Sequence, residues 1–304
     1  MPFNIVNDGD GLPRILLTEP SGSSAEVLLY GGQVVSWKNE KREELLFISS
    51  KAIWKPPKAI MGGIPVCFPQ FGTLGSLEQH GFARNRMWSL DSDPSPLSPV
   101  NNQSSVDLIL KSTEEDLKTW PRSFELRLRV SLSSSKLKII TRVRNTDNKA
   151  FSFTLALRNY LSVSDISEVR VEGLETLDYF DNLIQGKRFT EQADAITFDD
   201  EIDRVYLRTS TKIAIIDHEK KRTLVLQKDG MPDSGIKLFL FSLFCLLLLC
   251  QLSIIFCDLN VTTYREQLYG THGPKNPRLS KTSETRITKP CCVWILLLLN
   301  TQLS

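Results

Sequence analysis

Two neighbouring stretches hold the residues best suited to chemistry: Met61-Gly-Gly-Ile-Pro-Val-Cys-Phe-Pro-Gln-Phe-Gly72 and Gln79-His-Gly-Phe-Ala-Arg-Asn85. Glycine and proline fix loop geometry, while the amide of Gln79, the imidazole of His80 and the guanidinium of Arg84 can hold a polyhydroxylated or phosphorylated ligand. Such a site is built on loops, and loops need a rigid scaffold behind them.

The scaffold is legible as strands. From Phe124 to Leu132, apolar residues alternate with Glu125, Arg127, Arg129 and Ser131, the pattern of a half-buried strand. A turn at Ser133–Lys136 leads into a second alternating run, Leu137 to Arg144, which predicts an antiparallel hairpin. Phe151, Phe153, Leu155 and Leu157 alternate with Ser152, Thr154, Ala156 and Arg158, so the large apolar side chains face a core and Arg158 projects from the opposite face. Ile213–Ile216 and Thr223–Leu226, around Asp217-His-Glu-Lys-Lys-Arg222, predict another hairpin. Many short strands without βα alternation argue for an all-β sandwich.

Composition narrows the function classes. A formal charge of +2, from 37 Lys and Arg against 35 Asp and Glu, gives no reason to expect a nucleic-acid partner. Cys67 is the sole cysteine before residue 240, which suits a reducing compartment, and the spacing of the later cysteines makes no zinc motif. The N-terminus shows no secretory or transit pattern, so the expected location is the cytoplasm.

The pattern changes after Asp233. Residues 238–257 are uncharged and rich in Leu, Phe, Ile and Cys, long enough to cross a bilayer core of about 30 Å. Three readings are open: a membrane anchor with the body on the cytoplasmic side, a buried core helix, or sequence foreign to the fold. The last is favoured, giving an incomplete sandwich at 1–233 and an unrelated tail at 234–304.

With Tyr160-Leu-Ser-Val-Ser-Asp-Ile166 and Val171-Glu-Gly-Leu-Glu-Thr-Leu-Asp-Tyr-Phe-Asp181 added to the two loops, the chain resembles the glucose-6-phosphate 1-epimerases of the aldose 1-epimerase, or galactose mutarotase-like, superfamily. The resemblance runs from the N-terminus to about Asp233. It implies a galactose mutarotase-like antiparallel β-sandwich, here with its C-terminal strands missing. It also implies interconversion of the α and β anomers of a hexose 6-phosphate by paired acid–base groups, without metal or organic cofactor. Gln79, Arg84 and Asp181 match substrate-binding residues, with His80 as a further donor to the ring or anomeric oxygen.

Three positions depart from the family pattern. Arg158 stands where the resemblance places the general-acid histidine, and a guanidinium does not release its proton under ordinary conditions. Met61 stands where the family carries an arginine before Gly-Gly-Ile-Pro. The general-base glutamate has no counterpart in a matching motif. A non-catalytic sugar-phosphate binding protein, with or without a membrane anchor, is therefore the alternative to an isomerase.

Overall fold

The computed structural model describes residues 4–7, 11–73, 75–94, 103–134, 136–238, 252–262 and 293–303. Its described residues form three antiparallel sheets. A four-stranded meander of Asn4–Asn7, Pro13–Thr18, Ser24–Leu28 and Val34–Lys38 packs on a larger sandwich.

One sandwich layer has eight strands, with Phe124–Ser133 and Lys136–Asn145 side by side near its middle. The other has seven, in the order Lys187–Thr190, Asp178–Asp181, Ile202–Tyr206, Asp233–Leu238, Leu252–Thr262, Ser152–Leu161 and Val66–Cys67. Helix is confined to Glu114–Thr119 and short 3-10 turns among the described residues.

The predicted hairpins are present. Ser133 pairs with Lys136 across the first, and Lys212–Asp217 pairs with Arg222–Asp229 in the second. Phe124, Leu126, Leu128, Val130 and Leu132 are each at most 1% exposed, and they join Phe153, Leu155 and Leu157 of the facing sheet in one core. Phe68 ties the layers together, its ring lying 5.0 Å from Phe124 and 5.3 Å from Phe153. At about 1.5–3 kcal/mol for each fully buried large side chain, this seam is ample to hold the sheets face to face.

Beyond Asp233–Leu238, the tail supplies two strands among the described residues. Leu252–Thr262 pairs with both Ser152–Leu161 and Asp233–Leu238, and Val293–Leu303 lies between Arg222–Asp229 and Lys136–Asn145. One inner position of each large sheet is thus filled from within residues 234–304. A strand covered on both faces reads as a continuous apolar run, and periodicity alone cannot separate such a run from a helix. Of the apolar stretch 238–257, residues 239–251 lie outside the described residues and residues 252–257 are strand. No helix among the described residues is long and apolar enough to cross a membrane.

Candidate active site

The site begins with strand register. Asp203 is opposite Lys237, while Lys237 and Tyr160 flank Ser253 from its two sides. One step along, Val205 is opposite Gly235, and Gly235 and Arg158 flank Ile255. Because side chains alternate across a strand, Asp203, Lys237, Tyr160, Val205 and Arg158 share one face of the seven-stranded sheet. That face is the floor of a cavity of about 580 Å³, whose walls include Met61, Pro65, Phe71, Gln79, His80, Arg84 and Asn182.

The two sequence loops fold over this floor because their backbone is pinned. Gly63 and Gly81 both have positive φ, and a Cβ on them would come within 2.2 Å of Val34 O and 2.3 Å of Phe68 O respectively. The side chain of Gln70 braces the next turn, donating to Gly72 O and Leu77 O and accepting from Leu77 N–H. His80 itself has φ +69°, a left-handed conformation uncommon outside glycine. It is held by a reciprocal pair of bonds: His80 N–H donates to Gly72 O at 2.9 Å, and Gly72 N–H donates to His80 Nδ1 at 3.1 Å.

That second bond fixes the tautomer. With Nδ1 accepting, the ring proton sits on Nε2, 3.4 Å from Arg158 Nη1. Burial pushes the His80 pKa down to about 3, and the charges of Arg158, Arg84 and Lys237 push the same way, so the ring is neutral at physiological pH. The Arg158 guanidinium also lies over the Tyr160 ring, 5.1 Å from its centre. Arg84 donates from Nη2 to Gln79 O at 2.6 Å. Neither arginine forms an ion pair among the described residues, and the Nε of each is buried without a hydrogen-bond partner.

The opposite wall is neutralised internally. Lys237 pairs with Asp203, which also accepts from Asn182 Nδ2 at 2.9 Å. Arg204 also borders the cavity but is paired with Glu191 and Asp181, so among the described residues the two guanidiniums without an ion pair lie on one side and the carboxylate–ammonium–amide cluster on the other.

Of the sequence-derived candidates, the fold brings Gln79, His80, Arg84, Met61 and Arg158 to one cavity. Asp181 is not among them. It is opposite Arg204, one register step from Asp203, and so belongs to the other face of the sheet. There its carboxylate caps Asn182–Ile184 by accepting from Leu183 N–H, and lies 3.6 Å from Arg204 Nε. Arg204 is held in turn by Glu191 at 3.0 Å, beside the buried Tyr206.

Asp203, Lys237 and Asn182 went unrecognised in the sequence. For Asp203 the available signal was its place in the strand Ile202–Tyr206; Asn182, in the turn Asn182–Ile184, and Lys237, in Asp233–Leu238, had no comparable pattern around them. Cys67 is opposite Ala156 and so shares the face that carries Arg158, packed against Phe71; it is fully buried, and burial raises its thiol pKa to about 11, which disfavours the reactive thiolate. Among the described residues, no three His, Cys, Asp or Glu side chains gather as a metal site.

The family model described as Aldose 1-epimerase matches residues 13–234. The chain belongs to the aldose 1-epimerase family. It is an epimerase by that membership, on a mutarotase-like β-sandwich. A protein of Cenchrus ciliaris named "Putative glucose-6-phosphate 1-epimerase" is 61% identical over 239 residues, covering 77% of this chain and 72% of that protein. One of the same name from Escherichia coli K12 is 31% identical over 252 residues, covering 76% and 82%. Among solved structures, a "putative mutarotase" from Salmonella typhimurium superposes with a TM-score of 0.76 at 22% identity, covering 99% of this chain and 97% of that one.

Proposed function

We propose that the cavity binds a hexose 6-phosphate and that the chain, as a glucose-6-phosphate 1-epimerase, interconverts its anomers. The carrying observation is the polarity of the cavity: Arg84 and Arg158, without carboxylate partners among the described residues, on one side, and Asp203 with Asn182 and Lys237 on the other. An Arg fork suits phosphate, and charge-assisted contacts of this kind are the stronger class of hydrogen bond. Arg84, which lines the same cavity as Met61, takes the phosphate; Asp203 and Gln79 take ring hydroxyls; Arg158 and His80 face the ring oxygen. The names of the Cenchrus ciliaris and Escherichia coli relatives support the same substrate.

Calorimetry tests the binding half. Glucose 6-phosphate should bind more tightly than either glucose or inorganic phosphate, because only it meets both walls. Equal affinity for glucose and its 6-phosphate would remove the phosphate from the reading.

One observation favours a second reading, a non-catalytic sugar-phosphate binding protein. Arg158 occupies the family's histidine position, and the described cavity walls contain no glutamate. Exchange spectroscopy on the anomers separates the two, since the binder gives heat of binding without faster exchange.

The described lining residues all fall between Ala59 and Lys237, and the family match ends at 234. The end of the family match supports a mutarotase-like body at 1–233 and a tail, 234–304, of unrelated sequence, from which Lys237 nonetheless reaches the cavity. Backbone pairing asks only for length and apolarity, so such a tail can supply strands without family motifs. A cytoplasmic location suits both the phosphorylated substrate and the single thiol of the body.

A further inference from the structure

We propose that Arg158 and His80 form an oxyanion hole for the ring oxygen of the sugar, so that this chain stabilises a developing alkoxide in place of protonating it. The inference rests on the epimerase reading and assigns a different chemistry to its central step. Its basis is geometric. Gly72 N–H occupies His80 Nδ1, so Nε2 carries a proton, and Arg158 Nη1 also carries protons. Two donors 3.4 Å apart cannot bond each other, but both can donate to one oxygen lying between them.

Both donors are fixed before a ligand arrives. His80 is locked by the reciprocal bonds to Gly72 and packs 5.1 Å from the Phe71 ring, while Arg158 lies over Tyr160. Preorganised donors aimed at developing charge are the device that stabilises oxyanions in other enzymes.

The step balances without a general acid. A solvent-borne base removes the proton of the anomeric hydroxyl. The freed electron pair forms the aldehyde C=O bond, the ring C–O bond breaks, and its electron pair remains on the ring oxygen as an alkoxide held by the two N–H groups. Rotation of the aldehyde and reversal of each step give the other anomer, and the base returns the proton. Asp203 is not assigned as that base, because Lys237 and Asn182 already occupy its oxygens.

The test is exchange NMR of glucose 6-phosphate anomers with the full chain, measuring kcat and KM from pH 6 to 9. Arg158→Met should lower kcat by about 10²–10³-fold with KM little changed, the signature of a contact made in the transition state. His80→Asn, which tolerates the positive φ, should do likewise, and the double variant should lose little more. The native chain should show no alkaline fall in kcat and should respond to added buffer base. Arg158→His should acquire an alkaline fall near the ordinary histidine pKa of about 6.5.

An alkaline limb in the native chain, or an Arg158→Met effect confined to KM, would overturn the assignment. Calorimetric binding with no acceleration would overturn it alone and leave substrate binding standing. No binding would remove the epimerase reading as well.

Discussion

Asp203 and Lys237 sit directly opposite each other on adjacent antiparallel strands, are ion-paired, and together form one wall of the cavity. Asp181 lies on the neighbouring strand but on the other face, paired with Arg204. The two aspartates therefore have separable roles. Asp203→Ala should weaken glucose 6-phosphate binding about tenfold to a hundredfold, the worth of one charged hydrogen bond at about 1.5–3 kcal/mol. Asp181→Asn should lower the melting temperature and leave the dissociation constant of the folded protein unchanged. Calorimetry and thermal melts on both variants check this, and the reverse assignment of effects would sink it.

Met61 is 50% exposed on the cavity rim. Met61→Arg would add a guanidinium beside the phosphate position at no cost to the core. Its dissociation constant for glucose 6-phosphate should fall about tenfold or more, while that for glucose stays put. Equal changes for the two sugars would show that Met61 stands away from the phosphate.

The pH dependence of stability follows from His80. Its native pKa, about 3, is below the unfolded value of about 6.5, so the unfolded chain binds the extra proton first. Stability contributed by the neutral ring is whole above about pH 6.5 and is lost as pH falls toward 3. Urea midpoints at pH 7 and pH 5 should differ in the native protein, and the difference should shrink in His80→Asn. An unchanged difference in that variant would place the titration elsewhere.

Gly81 follows His80 at φ +67°, with Phe68 O where a Cβ would go. Gly81→Ala should cost at least about 1–2 kcal/mol from the left-handed conformation alone, before the clash is counted. The denaturant midpoint reads this directly. A neutral outcome would mean that the loop can move off Phe68.

Much of this was legible in the chain because it is local. Phe124–Leu132 and Phe151–Leu157 announce their faces by alternation, and the Gly-Gly-Ile-Pro and Gln-His-Gly-Phe-Ala-Arg stretches announce a ligand loop by residue type. What stayed hidden depends on register. Asp181 and Asp203 look alike in sequence, and a single step in pairing sends one to the cavity and the other to the far face. Lys237 reads as a charge flanking an apolar run until the strand opposite it is known. The pairing of the tail was hidden for a different reason: the uncharged run 238–257 has no periodicity, so its residues 252–257 carry the same signal whether they form a strand or part of a spanning helix.

Binding of a hexose 6-phosphate and interconversion of its anomers are both assigned to this one cavity. Exchange NMR on equilibrated glucose 6-phosphate, with and without the purified full chain, measures this at the reacting carbon. α–β exchange should be faster than in matched buffer, saturate with substrate and fall in Arg158→Met and Asp203→Ala. An exchange rate equal to that of buffer at saturating substrate would contradict it.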